Sequence, residues 1–137
     1  NQAGTGAAGG LGFAFLSYTN AVLESGVKII LEETKLESFI KNADFVITGE
    51  GRLDGQTVMG KAPIGVAEIA KKYEKKVLAF GGCVAEDATL CNQYGIDAFF
   101  PILRTVTTLK EAMDFNHAKE NLSAAVEQVF RLIQSFE

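Results

Sequence analysis

The stretch "FVITGEGRLDGQTVMGKAP", residues 45–63, decides how this chain is read. A continuous apolar run at 45–48, bounded by Asp44 and Gly49, predicts a strand buried on both faces. Gly49 and Gly51 then allow turns or close approaches that a Cβ would obstruct. Glu50, Arg52 and Asp54 fall on alternate positions, and an apolar pattern resumes behind Lys61, with Pro63 suited to the first turn of a helix over 62–73. A plain connection needs neither that much glycine nor that much charge. Strand, charged loop and helix predict a βα junction, and ligands of open α/β sheets gather where such junctions leave the carboxyl ends of strands.

The alternation continues on both sides. Residues 27–31 predict a short strand, and Thr34 with Glu37 forms a T-x-x-E capping box ahead of the helical Leu36, Phe39 and Ile40. Residues 7–23 predict a close-packing helix, because Leu11, Phe15, Tyr18 and Val22 recur at helical spacing through Gly9, Gly10 and Gly12, and Gly26 supplies a stop. Further on, 77–80 predicts a strand ending in a Gly81–Gly82 turn, 88–94 a short helix closed by Gly95, and 98–102 another strand. Thr108 and Glu111 offer a second capping box, and Leu122, Val126, Val129, Ile133 and Phe136 mark one face of a last helix, with a break near Asn116. Continuous apolar strands separated by helices indicate an α/β fold, a Rossmann-like parallel sheet with helices on both faces and right-handed crossovers. With the first two sheet strands adjacent, the loop after Thr48 and the Gly81–Gly82 turn face one crevice.

A chain of 137 residues fits one domain and suffices for a core without disulfides or structural metal. Thirteen basic against seventeen acidic residues leave a net charge of −4 and no long basic run. That argues against a dedicated nucleic-acid or anionic-membrane surface, so any phosphate must meet a local positive site. Cys83 and Cys91 lack a CxxC spacing and a nearby histidine, which predicts buried thiols in a reducing compartment. No apolar stretch approaches the roughly 18 residues of a membrane span, and no signal-peptide pattern is present. The expectation is a soluble, cytoplasmic protein. The glycine-rich opening without an initiating methionine predicts a piece of something longer. His117, alone in "DFNHAKEN", reads as exposed, and the stripe of the last helix as core.

Glu50 and Asp54 supply carboxylates for a divalent cation or a hydroxyl proton, Arg52 and Lys61 supply cations for phosphate oxygens, and amides near Gly49 and Gly51 can line an anion-binding concavity. The requirements of phosphoryl transfer are met within residues 50–61. The alternative is a solvated loop in which Arg52 pairs with Glu50 or Asp54 and does nothing further. Residues 55–62, "GQTVMGKA", nearly match G-x-x-x-x-G-K-[ST], but Ala62 stands where the magnesium-binding hydroxyl belongs and the motif does not directly follow its strand, so a standard P-loop is rejected. Lys61 at a helix start suits an anion, or else snorkels over the sheet edge. Gly4, Gly6 and Gly9 satisfy G-x-G-x-x-G, with Gly10 behind them, and read either as a phosphate site or as tight helix packing. A dinucleotide-binding or non-catalytic ligand domain would need a strand before those glycines and an acidic ribose partner about 20 residues on, where Glu24 stands.

In order, "GTGAAGGLGFAFL", "ADFVITGEGRLDGQTVMGKAPIGVAEIAKKY", "VLAFGG" and "YGIDAFFPIL" closely resemble the bacterial glycerate kinase family that makes 2-phosphoglycerate. The likeness extends over essentially the whole chain, "ITGEGRLDGQT" with "GKAP" is its most specific part, and the chain resembles the C-terminal portion of those longer proteins. The resemblance implies a two-domain kinase, with residues 1–40 belonging with one domain and 41–137 forming a Rossmann-like portion of the other. It implies ATP as co-substrate, Mg2+ without a Walker motif, D-glycerate as acceptor, and the remaining N-terminal part of the kinase as partner. The surface that part would cover could otherwise form a homo-oligomer, and the piece alone is expected to be inactive. Carried onto this sequence, Gly4, Gly6, Gly9, Gly10, Gly49, Gly51, Gln56 and Thr57 line the cleft. Asp54 orients or deprotonates the C2 hydroxyl, Glu50 holds magnesium, and Arg52 and Lys61 stabilise phosphate or the glycerate carboxylate. Gln2, Ala3 and Thr5 stand where the family's string has Pro and Ala beside the glycines, a departure that bears on the local turn.

Overall fold

The computed structural model describes residues 4–136. Three parallel strands, β1 (Phe45–Leu53), β2 (Lys76–Val84) and β3 (Ala98–Pro101), lie in the order β1-β2-β3. Pairing runs from Phe45 opposite Lys76 to Leu53 opposite Val84, and from Leu78 opposite Ala98 to Gly81 opposite Pro101. Three helices, α1 (Ala7–Tyr18), α2 (Gly26–Glu33) and α3 (Leu36–Ile40), precede the sheet. Parallel neighbours need long crossovers, and each here carries a helix: α4 (Ala62–Lys72) after β1 and the short α5 (Leu90–Gln93) after β2. Then α6 (Leu109–Ala112) and α7 (Phe115–Gln134) close the chain.

Successive strand residues point to opposite faces, which gives the sheet two cores. Val46, Val77 and Ala79 pack with Ile64, Ala67 and Ala70 of α4 on one side. On the other, Leu78 and Phe80 pack with Val129 of α7, Phe80 stacks on Phe100 at 5.6 Å, and Phe45 meets Phe130 edge-on at 5.9 Å. Helices thus cover both faces of a parallel sheet, as the apolar runs predict. The capping box at Thr108 and Glu111 forms, and His117 is exposed. The last break falls at Asp114, whose carboxylate accepts the N–H groups of Asn116 and His117 at 3.0 Å each.

Several local expectations are corrected. Residues 27–31 form no strand; they lie in α2, where Val27 and Leu31, one turn apart, pack over Gly65 of α4. A Cβ at Gly65 would stand 2.7 Å from Val27 Cγ1 and 2.9 Å from Leu31 Cδ1, so the missing side chain is what admits α2. Lys28 pairs with Glu24 and Glu32 at helical spacing, a further local support for that helix. The Thr34–Glu37 box does not form: the left-handed Lys35 (φ 52) is the N-cap of α3, Thr34 donates to the Ile30 carbonyl, and Glu37 accepts the Tyr73 hydroxyl at 2.6 Å. Within α1, Ala8, Gly9 and Gly10 have φ of 49, 68 and 97, and the helix stops at Tyr18, short of residue 23. Gly81 and Gly82 belong to β2 and make no turn. Cys83 is exposed, and only Cys91 is the buried thiol expected of both. Among the described residues, no helix is long and apolar enough to cross a membrane.

Candidate active site at the carboxyl end of β1

The segment read as a loop after Thr48 is strand as far as Leu53. Glu50 and Arg52, two positions apart, therefore share a face of β1, and Asp54 is the first residue beyond it. The glycines serve close strand approach as much as turning. A Cβ at Gly49 would lie 2.7 Å from the Phe80 carbonyl oxygen, and one at Gly82 would lie 2.7 Å from that of Gly51.

Past Asp54 the chain turns sharply. The Gln56 N–H donates to Asp54 Oδ1 at 3.0 Å and the Thr57 N–H to the Asp54 carbonyl at 2.9 Å, leading into a 3-10 turn over Thr57–Met59. Gly60, left-handed at φ 93, ends that turn, and Lys61 enters α4 in an extended conformation with Pro63 in the first turn. This reversal folds Lys61 back over β1. Its Nζ lies 3.7 Å from Glu50 Oε1 and 3.5 Å from Asp54 Oδ1, while Arg52 Nε lies 3.3 Å from Asp54 Oδ2. Asp54 is the best covered of the four, its side chain 16% exposed against 63% for Arg52.

The electrostatics follow from this packing. Burial pushes the Asp54 carboxyl up, but Lys61, the Gln56 N–H and Arg52 outweigh it and hold the group below its ordinary range. Beneath, burial pushes the Cys91 thiol up, and the Asp54, Asp87 and Glu50 carboxylates add to the effect, so Cys91 stays a neutral, inert thiol. Glu50 directs one oxygen toward Lys61; the other, Oε2, is buried without a hydrogen-bond partner. Glu50 also borders a groove of about 330 Å³ between the sheet and α7, walled by Ile47, Thr48, Gly49, Phe80, Gly82 and Leu122.

Of the residues singled out in the sequence, Glu50, Arg52, Asp54 and Lys61 are brought into one cluster. Gly49 lines the groove, and Gly51 has open space where a Cβ would stand. Gln56 is exposed and gives its N–H to Asp54. Thr57, expected at the cleft surface, is fully buried beneath Asp54. Gly4, Gly6, Gly9 and Gly10 shape a turn of their own, in which Gly12 backs onto the Gly4 carbonyl and Gly4 meets Leu23. Sequence reasoning missed Asp87, three residues beyond β2 where Asp54 is one beyond β1; an added Cβ at Gly55 would lie 2.5 Å from its Oδ2. The same strand-end logic would have found it. The groove was not legible, since Ile47, Phe80 and Leu122 come from three separate elements.

A solvated loop accounts for Arg52 with Asp54, but not for a lysine shared by two carboxylates or a buried carboxylate oxygen. The strand that the dinucleotide reading needs ahead of Gly4 would lie outside the described residues, while Glu24, its acidic ribose partner, is paired with Lys28.

Known proteins point the same way. The model of the glycerate kinase family matches residues 1–134. The chain is 42% identical over 133 residues to a glycerate kinase of Haemophilus influenzae, covering 97% of this chain and 35% of the relative. It is 45% identical over 126 residues to a glycerate kinase of Bacillus subtilis, with 92% and 32% covered. The glycerate 2-kinase of Escherichia coli is 45% identical over 122 residues, with 89% and 32% covered. A crystal structure assigned to a glycerate kinase 2 from Salmonella typhimurium LT2 superposes with a TM-score of 0.70 at 38% identity, over 96% of this chain and 32% of that one. The chain thus spans about a third of the length of the relatives it matches. With its parallel sheet, its charged β1–α4 junction and nearly its whole length matched, this chain belongs to the glycerate kinase family.

Proposed function

We propose that this chain is part of a kinase that transfers the γ-phosphoryl group of ATP to the C2 hydroxyl of D-glycerate, giving 2-phosphoglycerate. The observation that carries this reading is the junction itself: two carboxylates and two cations gathered at the carboxyl edge of a parallel sheet, in a chain whose relatives are named glycerate kinases. Phosphoryl transfer passes through a loose transition state with charge spread over the equatorial oxygens, so catalysis is mostly positioning and neutralisation. Arg52, largely exposed, and Lys61, at the N-terminus of α4 where the helix dipole adds to its charge, receive phosphate oxygens or the glycerate carboxylate. Asp54 accepts a hydrogen bond from the C2 hydroxyl and orients it for in-line attack. A carboxyl held below its ordinary range is a weak base, which suits orientation better than early proton removal. Gly49, Gly51, Gln56 and the Gly4, Gly6, Gly9 and Gly10 string border the cleft, with the Gln56 N–H already holding Asp54.

Mg2+ takes one or two carboxylates and leaves its other positions to water and phosphate. The buried, unpartnered Glu50 Oε2 fits that demand, and Glu50 would hold the ion directly or through water. When bound, the ion neutralises charge on the β- and γ-phosphates.

The rest of a longer kinase is the partner in this reading. Phe13 and Tyr18 of α1 are 61% and 86% exposed, and no charged residue precedes Glu24, which suits a helix buried against further chain and a segment inactive alone. A homo-oligomer through the same surface is the alternative. In this reading residues 1–40 belong with one domain and 41–137 with the Rossmann-like portion of the other, and the α2–α4 packing and the Glu37–Tyr73 bond join the two across that seam. The reaction is placed in the cytoplasm.

Asp54→Asn in the full-length protein is the test, since it keeps the shape and removes the charge. Glycerate-dependent ADP release, with the product identified by enolase coupling, is expected to fall about 10²-fold or more. Turnover within threefold of the parent would overturn the role of Asp54, and a parent without glycerate-dependent ADP release would overturn the activity.

A further inference from the structure

Among the described residues Thr57 is the buried polar side chain, with no exposed surface, so it cannot meet a ligand from where it stands. Its hydroxyl is directed at one neighbour. It accepts the Asp54 N–H at 3.1 Å and donates toward Asp54 Oδ1 at 3.4 Å, so its single donor and one of its acceptor sites are both given to that residue. Its main chain acts alike: the Thr57 N–H donates to the Asp54 carbonyl at 2.9 Å, and the Thr57 carbonyl accepts the Lys61 N–H at 3.3 Å. A carboxylate on a turn otherwise samples several rotamers, and productive geometry tolerates only about 0.5 Å of slack.

We propose that Thr57 is a positioning residue, whose hydroxyl fixes the Asp54 carboxylate and whose main chain returns Lys61 to it, so that turnover depends on a hydroxyl no ligand touches. This rests on the reading of Asp54 above. The γ-methyl and the hydroxyl of Thr57 make different demands, and two substitutions separate them. Thr57→Val keeps the volume and removes the hydroxyl; Thr57→Ser keeps the hydroxyl and leaves a methyl-sized void. If Thr57 only packs, Ser is the worse variant; if it positions Asp54, Val is.

Steady-state kinetics of both variants in the full-length protein, with thermal unfolding as a control, decide between these. For Thr57→Val, kcat is expected to fall about tenfold or more while KM for ATP and for glycerate moves less than about threefold, the signature of lost positioning. Thr57→Ser is expected to recover most of that kcat, although its unfolding midpoint is no higher than that of the Val variant. In an Asp54→Asn background, Thr57→Val should remove little further activity. A Val variant within twofold of the parent in kcat, or a Ser variant as impaired as Val, would overturn the proposal. So would a further tenfold loss in the Asp54→Asn background. An active Asp54→Asn enzyme would sink the role of Asp54 and this inference with it, whereas an inactive Asp54→Asn enzyme beside an active Thr57→Val enzyme would sink this inference alone.

Discussion

Replacing Gly49 with alanine puts a methyl group where the backbone of the next strand already lies. The added Cβ would stand 2.7 Å from the Phe80 carbonyl oxygen, across a paired position of β1 and β2. Carbon–oxygen contacts in sheets settle near 3.3–3.6 Å, so the strands must part locally by roughly 0.6 Å or more. Overpacking of this kind costs about 1–3 kcal/mol, and alanine returns only about 0.4–1 kcal/mol by restricting the unfolded chain. Two residues along, Gly51→Ala is the same substitution in the same strand, but its Cβ meets nothing within 4 Å. Only the unfolded-chain term then remains, and the change is neutral to mildly stabilising. In calorimetry of the full-length protein, read at the transition of the domain that holds β1 and with roughly 2–4 °C per kcal/mol for a unit of about 150–250 residues, Gly49→Ala is expected to lower the midpoint by several degrees and Gly51→Ala to leave it level or raise it. Equal effects, or greater damage from Gly51→Ala, would refute the claim that Gly49 is demanded by strand approach.

Other consequences concern charge. Lys61→Met should weaken ATP binding about tenfold and, by removing the cation that holds the Asp54 carboxyl down, move the acid limb of kcat/KM to higher pH; an unmoved limb with unchanged ATP affinity refutes both roles. Asp97→Ala should destabilise the fold by about 1–3 kcal/mol at pH 7 in urea unfolding, because Asp97 Oδ2 accepts the buried Val77 N–H at 2.7 Å. Burial raises the Asp97 carboxyl, yet Lys71 and the Val77 N–H outweigh it and leave it below its ordinary 3.8. Its ionic contribution is therefore complete above that value and disappears as pH falls through the lower, folded one, so the deficit of the variant should shrink below about pH 4.

Much of the fold was legible because its signals are local. The apolar runs at 45–48, 77–80 and 98–102 mark strands covered on both sides; the first two fall within β1 and β2, and the third is β3 but for Ile102, one residue past its end at Pro101. Pro63 and the pattern behind it mark α4, and Thr108 with Glu111 marks a capped helix start. The helix α2 was misread because Val27, Ile29, Ile30 and Leu31 carry strand propensity, and what overrides it is the gap left by Gly65, more than thirty residues away. Glycines suggested the end of β1 at Thr48, but Gly49 and Gly51 lie beside Phe80 and Gly82, so the ladder continues through them to Leu53.

For the site, residue chemistry and spacing in the sequence determined that carboxylates and cations stand together after a buried strand and before a helix, since that much depends on neighbours along the chain. Tertiary structure alone decided that Lys61 returns to Glu50 and Asp54, that one Glu50 oxygen is buried and unpaired, and that Thr57 lies beneath Asp54. Those facts depend on a left-handed turn at Gly60 and on which atoms the sheet and α4 leave exposed, and no periodicity in the sequence encodes a distance between side chains brought together by folding.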